Sequence, residues 1–134
     1  MLPQQKEAVL ELCGAVFFSV LVGVLVPLID SFRSETVLLA LVGFIVVLWI
    51  GRRLVGLRAK TLDERDIAIR YKAGMLALHG FGMVVMAGAV ILFFVNRTDL
   101  LIPAVQVALL AFASWMAMYI IASVTVLTLY RKAV

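Results

Sequence analysis

Thr61-Leu62-Asp63-Glu64-Arg65-Asp66-Ile67-Ala68-Ile69-Arg70-Tyr71-Lys72-Ala73-Gly74 is the only polar stretch of any size in a chain of 134 residues, and it lies between two long apolar blocks. Thr61 followed three residues later by Glu64 has the spacing of a capping box, in which the threonine hydroxyl accepts from a backbone N–H and the glutamate reaches back. The pattern predicts a helix that begins at about Leu62. Asp63, Glu64 and Asp66 fall in its first turns, at the positive end of the macrodipole, and Arg65, Arg70 and Lys72 follow. Asp66 and Arg70 stand four apart in the acidic-first order, a pairing that contributes ~0.2–0.5 kcal/mol on an exposed helix.

C-terminal to this head the apolar pattern continues without a break to about Val95. A helix over 62–95 would be about 50 Å long against a hydrocarbon core of about 30 Å, so its first turns must project beyond a bilayer. The whole chain supports a membrane setting. It is 65% hydrophobic and 15% charged, with a mean hydropathy of +1.16, whereas soluble domains are typically about 45–50% apolar. The expected fold class is all-α: one integral membrane four-helix bundle, residues 1–134, with spans at about 8–29, 35–51, 62–95 and 101–130. The N-terminus shows no small-residue cleavage site, so the first apolar run is read as a retained helix.

Within the spans, small residues recur at helical spacing. Ala15, Ser19 and Gly23 follow Glu11 at four-residue intervals in the first span, and Ala73, Ala77 and Gly80 line the third, with Gly74, Gly82 and Gly88 beside them. Such faces let transmembrane helices approach closely, so the third span is expected to pack on two neighbours. Pro27 and Asp30 should close the first span, and Pro103 should sit in the first turn of the fourth. Basic residues then orient the bundle. Lys6, Arg52, Arg53, Arg58, Lys60, Arg65, Arg70, Lys72, Arg131 and Lys132 would lie on one side, against Arg33 and Arg97 on the other. This bias places both termini and the central loop in the cytoplasm, the N-in/C-in arrangement.

Leu62-Asp63-Glu64-Arg65, then Ile67 or Ile69, Arg70, Lys72-Ala73-Gly74 and Ala77, resembles the recurring motif of a set of small four-span bacterial and archaeal membrane proteins of unknown function. The resemblance covers about 15 residues and implies an Asp-Glu-Arg start to the third helix and a Lys-Ala-Gly step into the membrane. It implies no activity, substrate or catalytic residue.

Four sets of residues are candidates for chemistry. Glu11 is an ionisable group near the body of the first span, where a carboxylate is costly unless paired or protonated, so it is a candidate proton or cation site. About one turn in from Lys6 and Glu7, it is more simply read as a wet interfacial residue; small four-span multidrug exporters also use a first-helix glutamate, but their other signatures are not evident. His79, Met83 and Met86 share a face of the third span and could ligate copper(I) or one side of a haem. With one histidine in the chain, His79 is more simply expected to bond Gln106, Ser114 or a carbonyl of a neighbouring helix. Arg52, Arg53, Arg58 and Lys60 could hold anionic lipid headgroups, at about 1 kcal/mol each, or could only set topology. Thr61, Asp63, Glu64, Arg65, Asp66 and Arg70 form a cytoplasmic head available to a partner. Cys13 is the sole cysteine and cannot form an internal disulfide.

No nucleophile–base set, glycine-rich phosphate loop or zinc spacing is present. The expectation is a non-enzymatic protein of the bacterial or archaeal cytoplasmic membrane, without cofactor, metal or nucleic-acid partner. It would act by helix–helix contact as a homo-oligomer or as an accessory, regulatory or immunity-type subunit of a larger membrane complex. The alternative is a small dimeric proton- or cation-coupled transporter or channel built on Glu11.

Overall fold

The computed structural model describes residues 3–28, 34–54, 63–98 and 102–132. These form four α-helices: α1 Pro3–Leu28, α2 Ser34–Leu54, α3 Glu64–Val95 and α4 Ala104–Lys132. Both α1 and α2 are longer than their apolar cores. The first begins at Pro3, whose fixed φ suits a first helical turn, because Gln4, Gln5, Lys6 and Glu7 are all good helix formers and extend the helix beyond the hydrophobic block. It ends at Leu28, one residue past Pro27 and within the Pro27–Asp30 closure expected from the sequence. Helix α2 continues past Trp49 and Gly51 to Leu54.

The start of α3 differs from the capping-box expectation. Asp63 is the N-cap, in extended conformation, and its carboxylate accepts from the Glu64 N–H at 2.8 Å. An aspartate caps as well as a threonine, and starting at Glu64 sets Glu64 and Asp66 in the first turn, where the macrodipole favours them. Thr61 itself, with Arg58, Lys60 and the connections at 29–33 and 99–101, lies outside the described residues. At its other end α3 is tied to α4 by the buried Asn96. The Asn96 amide donates to Leu92 O at 2.9 Å and to Gln106 Oε1 at 2.6 Å. Pro103 precedes α4 and is not in its first turn; its carbonyl accepts from the N–H groups of Gln106 and Val107 at 3.0 and 3.3 Å.

Three helices are long and apolar enough to cross a membrane: α1 over Gln4–Leu25, α3 over Glu64–Val95 and α4 over Ala104–Lys132. Within the 21 residues of α2, the described residues carry the apolar stretch Leu39–Gly51.

The organising helix is α4, which touches each of the other three. With α1 and α2 it encloses a core of Ala15, Val22, Val37, Phe44, Leu48, Ala108, Phe112 and Met116. Phe44 sits at the centre of this core. Its ring meets those of Phe18 and Tyr119 edge to face, with centroids 5.5 and 5.1 Å apart. Glycines bring α1 and α2 together, Gly14 against the Phe44 ring and Gly51 against Leu10.

By contrast, among the described residues the backbone of α3 approaches α4 alone and not two neighbours. Ala73 and Ala77 are buried, and Gly80 and Gly88 admit Ile121 and Leu110 of α4 so closely that a Cβ would lie 2.0 and 2.1 Å from their Cδ1 atoms. Gly74 and Gly82 have no atom within 4 Å of where a Cβ would stand. The glycine-rich stripe therefore divides into positions that hold α4 and positions with open space beside them.

Candidate functional site

Extending α1 back to Pro3 puts Gln4, Glu7 and Glu11 at three- and four-residue spacing on one face. The same end of the molecule receives the first turns of α3 and the last turns of α4. No described Cα of α1 lies within 8 Å of one in α3, so only long side chains can join the two helices. Two do so directly. Arg70 Nη2 donates to Glu7 Oε2 at 2.6 Å, and Gln4 Nε2 donates to Asp66 Oδ2 at 2.8 Å. Asp66 also accepts from the hydroxyl of the buried Tyr130, which brings α4 into the same cluster.

Gln4, Glu7 and Arg70 of these bridges line a crevice of about 200 Å³, with Ala8 and Glu11 of α1, Ala73 and Gly74 of α3, and Ala122 and Val126 of α4 in its other walls. Alanine and glycine on the facing helices leave this space open. Glu11 is half-buried there, and the buried Ser123 hydroxyl stands 3.5 Å from Glu11 Oε2, at the long limit for a hydrogen bond. A carboxylate so placed is chemically able to exchange a proton or hold a cation. The Glu7 and Arg70 side chains remain 15% and 42% exposed, so their attraction is screened and contributes ~0.2–1 kcal/mol.

Several expected placements change. Asp66 and Arg70 do not pair along α3; each turns to another helix. The His79 ring nitrogen Nδ1 bonds the Met75 carbonyl of its own helix at 2.7 Å, and not α4. Ser114, buried, likewise donates to Leu110 O of its own helix at 2.7 Å, and Gln106 is taken by Asn96. Met83 and Met86 are 73% and 67% exposed on a side of α3 that α4 does not cover. His79, Met83 and Met86 are thus all exposed on α3.

Of the first-span stripe, Ala15 is fully buried, Ser19 is half-buried and bonds back to Ala15 O, and Gly23 has nothing within 4 Å of where a Cβ would stand. Ser19, Val22 and Gly23 instead form one wall of a second, apolar groove of about 480 Å³. Phe112, Ala113, Met116 and Ala117 of α4 lie opposite. In the basic group, the Arg53 guanidinium lies 4.7 Å from the centroid of the Trp49 ring at the end of α2. Arg52 falls in the same helix turn, with its side chain outside the described residues, as are Arg58 and Lys60. Asp63, Glu64, Arg65 and Arg70 are all exposed on the α3 head.

Sequence reasoning did not find Gln4, Glu7, Ser123 or Tyr130. The spacing of Gln4, Glu7 and Glu11 was an available sign for α1, but Tyr130 and Ser123 carried none. Fold and site together define an all-α, four-helix protein with three long apolar helices and a polar crevice at one end. The chain matches no protein-family model, no curated protein and no solved structure.

Proposed function

We propose that this is a small multi-pass protein of the bacterial or archaeal cytoplasmic membrane, with both termini and the α2–α3 loop on the cytoplasmic side. It acts by helix–helix contact as an oligomeric accessory or regulatory subunit, of which an immunity protein is one type, and not as an enzyme. Its placement with the small four-span proteins that share the Asp-Glu-Arg and Lys-Ala-Gly motif belongs to the same proposal. The basic residues concentrate at one end, and three helices have the length and composition of spans. Arg53, stacked on the exposed Trp49, supports contact with anionic headgroups at that end.

The observation that carries the reading is the open groove between α1 and α4. Its Gly23 and Ala113 are exposed, and the small residues of its walls leave room for a further helix backbone. The occupant is an apolar helix of a second copy. Substituting Gly23 by leucine starts from a Cβ with nothing within 4 Å, fills the groove, and is expected to convert the oligomer to monomer in native mass spectrometry from lipid nanodiscs. A monomeric wild type, or an unchanged oligomer in the variant, would count against the reading.

The half-buried Glu11 in its crevice favours a second reading, proton- or cation-linked transport. Here Glu11→Gln is expected to abolish flux in proteoliposomes, and a wild type that moves neither protons nor monovalent cations would sink it.

A further inference from the structure

We propose that Gln4, Glu7, Asp66, Arg70 and Tyr130 form a latch that opens and closes the crevice containing Glu11. The proposal stands whether or not Glu11 carries an ion. Its basis is the way α1 and α3 are joined. Their backbones stay apart, yet their N-terminal turns are bridged at one level by Arg70–Glu7 and Gln4–Asp66, and Tyr130 of α4 bonds the second carboxylate oxygen of Asp66. Everything behind the bridges is small or half-buried: Ala8, Ala73, Gly74 and Ala122, with Glu11 one turn in from Glu7.

A permanent strut between membrane helices would be expected to use packed side chains or backbone approach, as α3 does against α4 through Ala73, Ala77, Gly80 and Gly88. Among the described residues the α1–α3 junction has no backbone approach. Its polar groups are satisfied by one another when closed and by water when open, so the two states differ little in hydrogen bonding. Asp66 keeps a favourable place after release, since it lies in the first turn of α3 near the positive end of the macrodipole. With α4 holding α3 farther along, the head of α3 is free to lean away from α1 while the rest of the bundle stays assembled. The consequence of opening is that water and small solutes reach Glu11 and Ser123.

The test uses the full chain in nanodiscs with Cys13→Ser, which removes the sole cysteine, and Ala122→Cys on the crevice wall. The rate of modification by a charged methanethiosulfonate reagent is measured. Glu7→Gln and Arg70→Gln are each expected to raise that rate at least tenfold, and the exchange Glu7→Arg with Arg70→Glu to return it towards the parent value. Ala108→Cys, in the α1–α2–α4 core, should remain slow throughout, which separates latch opening from unfolding. If Ala122→Cys fails to fold, Val126→Cys reports from the same wall. Equal rates with and without the Glu7–Arg70 pair, or an exchange variant as fast as the single ones, would overturn the proposal.

Discussion

Leucine at both Gly80 and Gly88 is expected to separate α3 from α4 and to give the largest loss of stability of any surface-neutral pair of changes in the chain. At each position a Cβ would lie far inside van der Waals contact with the tip of a side chain of α4, Ile121 or Leu110. Alanine at Gly80 should be absorbed by rotation of Ile121, because the colliding atom is the flexible Cδ1. A leucine cannot be absorbed in that way; it must push the helix axes apart. Overpacking of this kind costs ~1–3 kcal/mol at a site. The two sites are eight residues and about 12 Å apart, so their costs should roughly add. Thermal unfolding in detergent, followed by circular dichroism, checks the result. Gly82→Leu is the control, since nothing lies within 4 Å there, and it should leave the midpoint unchanged. If Gly82→Leu destabilises as much as the double variant, the division of the glycines into packed and open positions is wrong.

Phe44→Ala should give the second large effect, and the membrane setting alters its size. In water a buried phenylalanine lost from a core costs ~3–5 kcal/mol, part of it for transfer out of water and part for the cavity. In a bilayer the unassembled helix exposes its side chains to lipid, so little of the transfer part remains. What is left is the cavity. At about 24 cal/mol per Å³, a hole on the order of 100 Å³ costs about 2.4 kcal/mol, and the edge-to-face contacts with Phe18 and Tyr119 are lost as well. The expected loss in reversible unfolding in mixed micelles is therefore about 2–4 kcal/mol. Phe17→Ala, on the same helix pair but exposed, should change stability by less than about 0.5 kcal/mol. Similar losses for the two variants would show that Phe44 does not centre the core.

Much of the fold could be read from local pattern. Apolar blocks bounded by charged or turn residues placed four helices and the charged head of α3, and of the small residues of α3 it is Ala73, Ala77, Gly80 and Gly88 that are buried or meet α4. Their ends were less legible, because propensity carries a helix beyond its apolar block, as at Gln4–Glu7, and because Asp63 and Thr61 are equally suited to cap. The arrangement was not legible at all. Helices α1 and α3 are apolar nearly all the way round, so no stripe says which side meets a neighbour. This is why Gly23 and Gly74 read as buried and are open. The crevice shows the same limit. Asp66 and Arg70 satisfy a rule for partners four residues apart, but their true partners, Gln4, Glu7 and Tyr130, lie 62 to 64 positions away. Local spacing could propose Glu11 as chemically interesting; only the tertiary structure supplied its surroundings.

The hub position of α4 has a consequence for how the protein is made. The helix that touches all the others follows them in the chain, so α1 and α2 can pair as soon as both exist while α3 meets no closely packed helix backbone until α4 is made. From Val95, the end of α3, to Lys132 is 37 residues, or about 2–7 s of synthesis at ~5–20 residues per second. During that interval the glycine face of α3 has nothing to grip. A nascent chain stalled before Ala104 would therefore present a finished hairpin and an orphan helix, the state in which cellular quality control has its best opportunity to remove it.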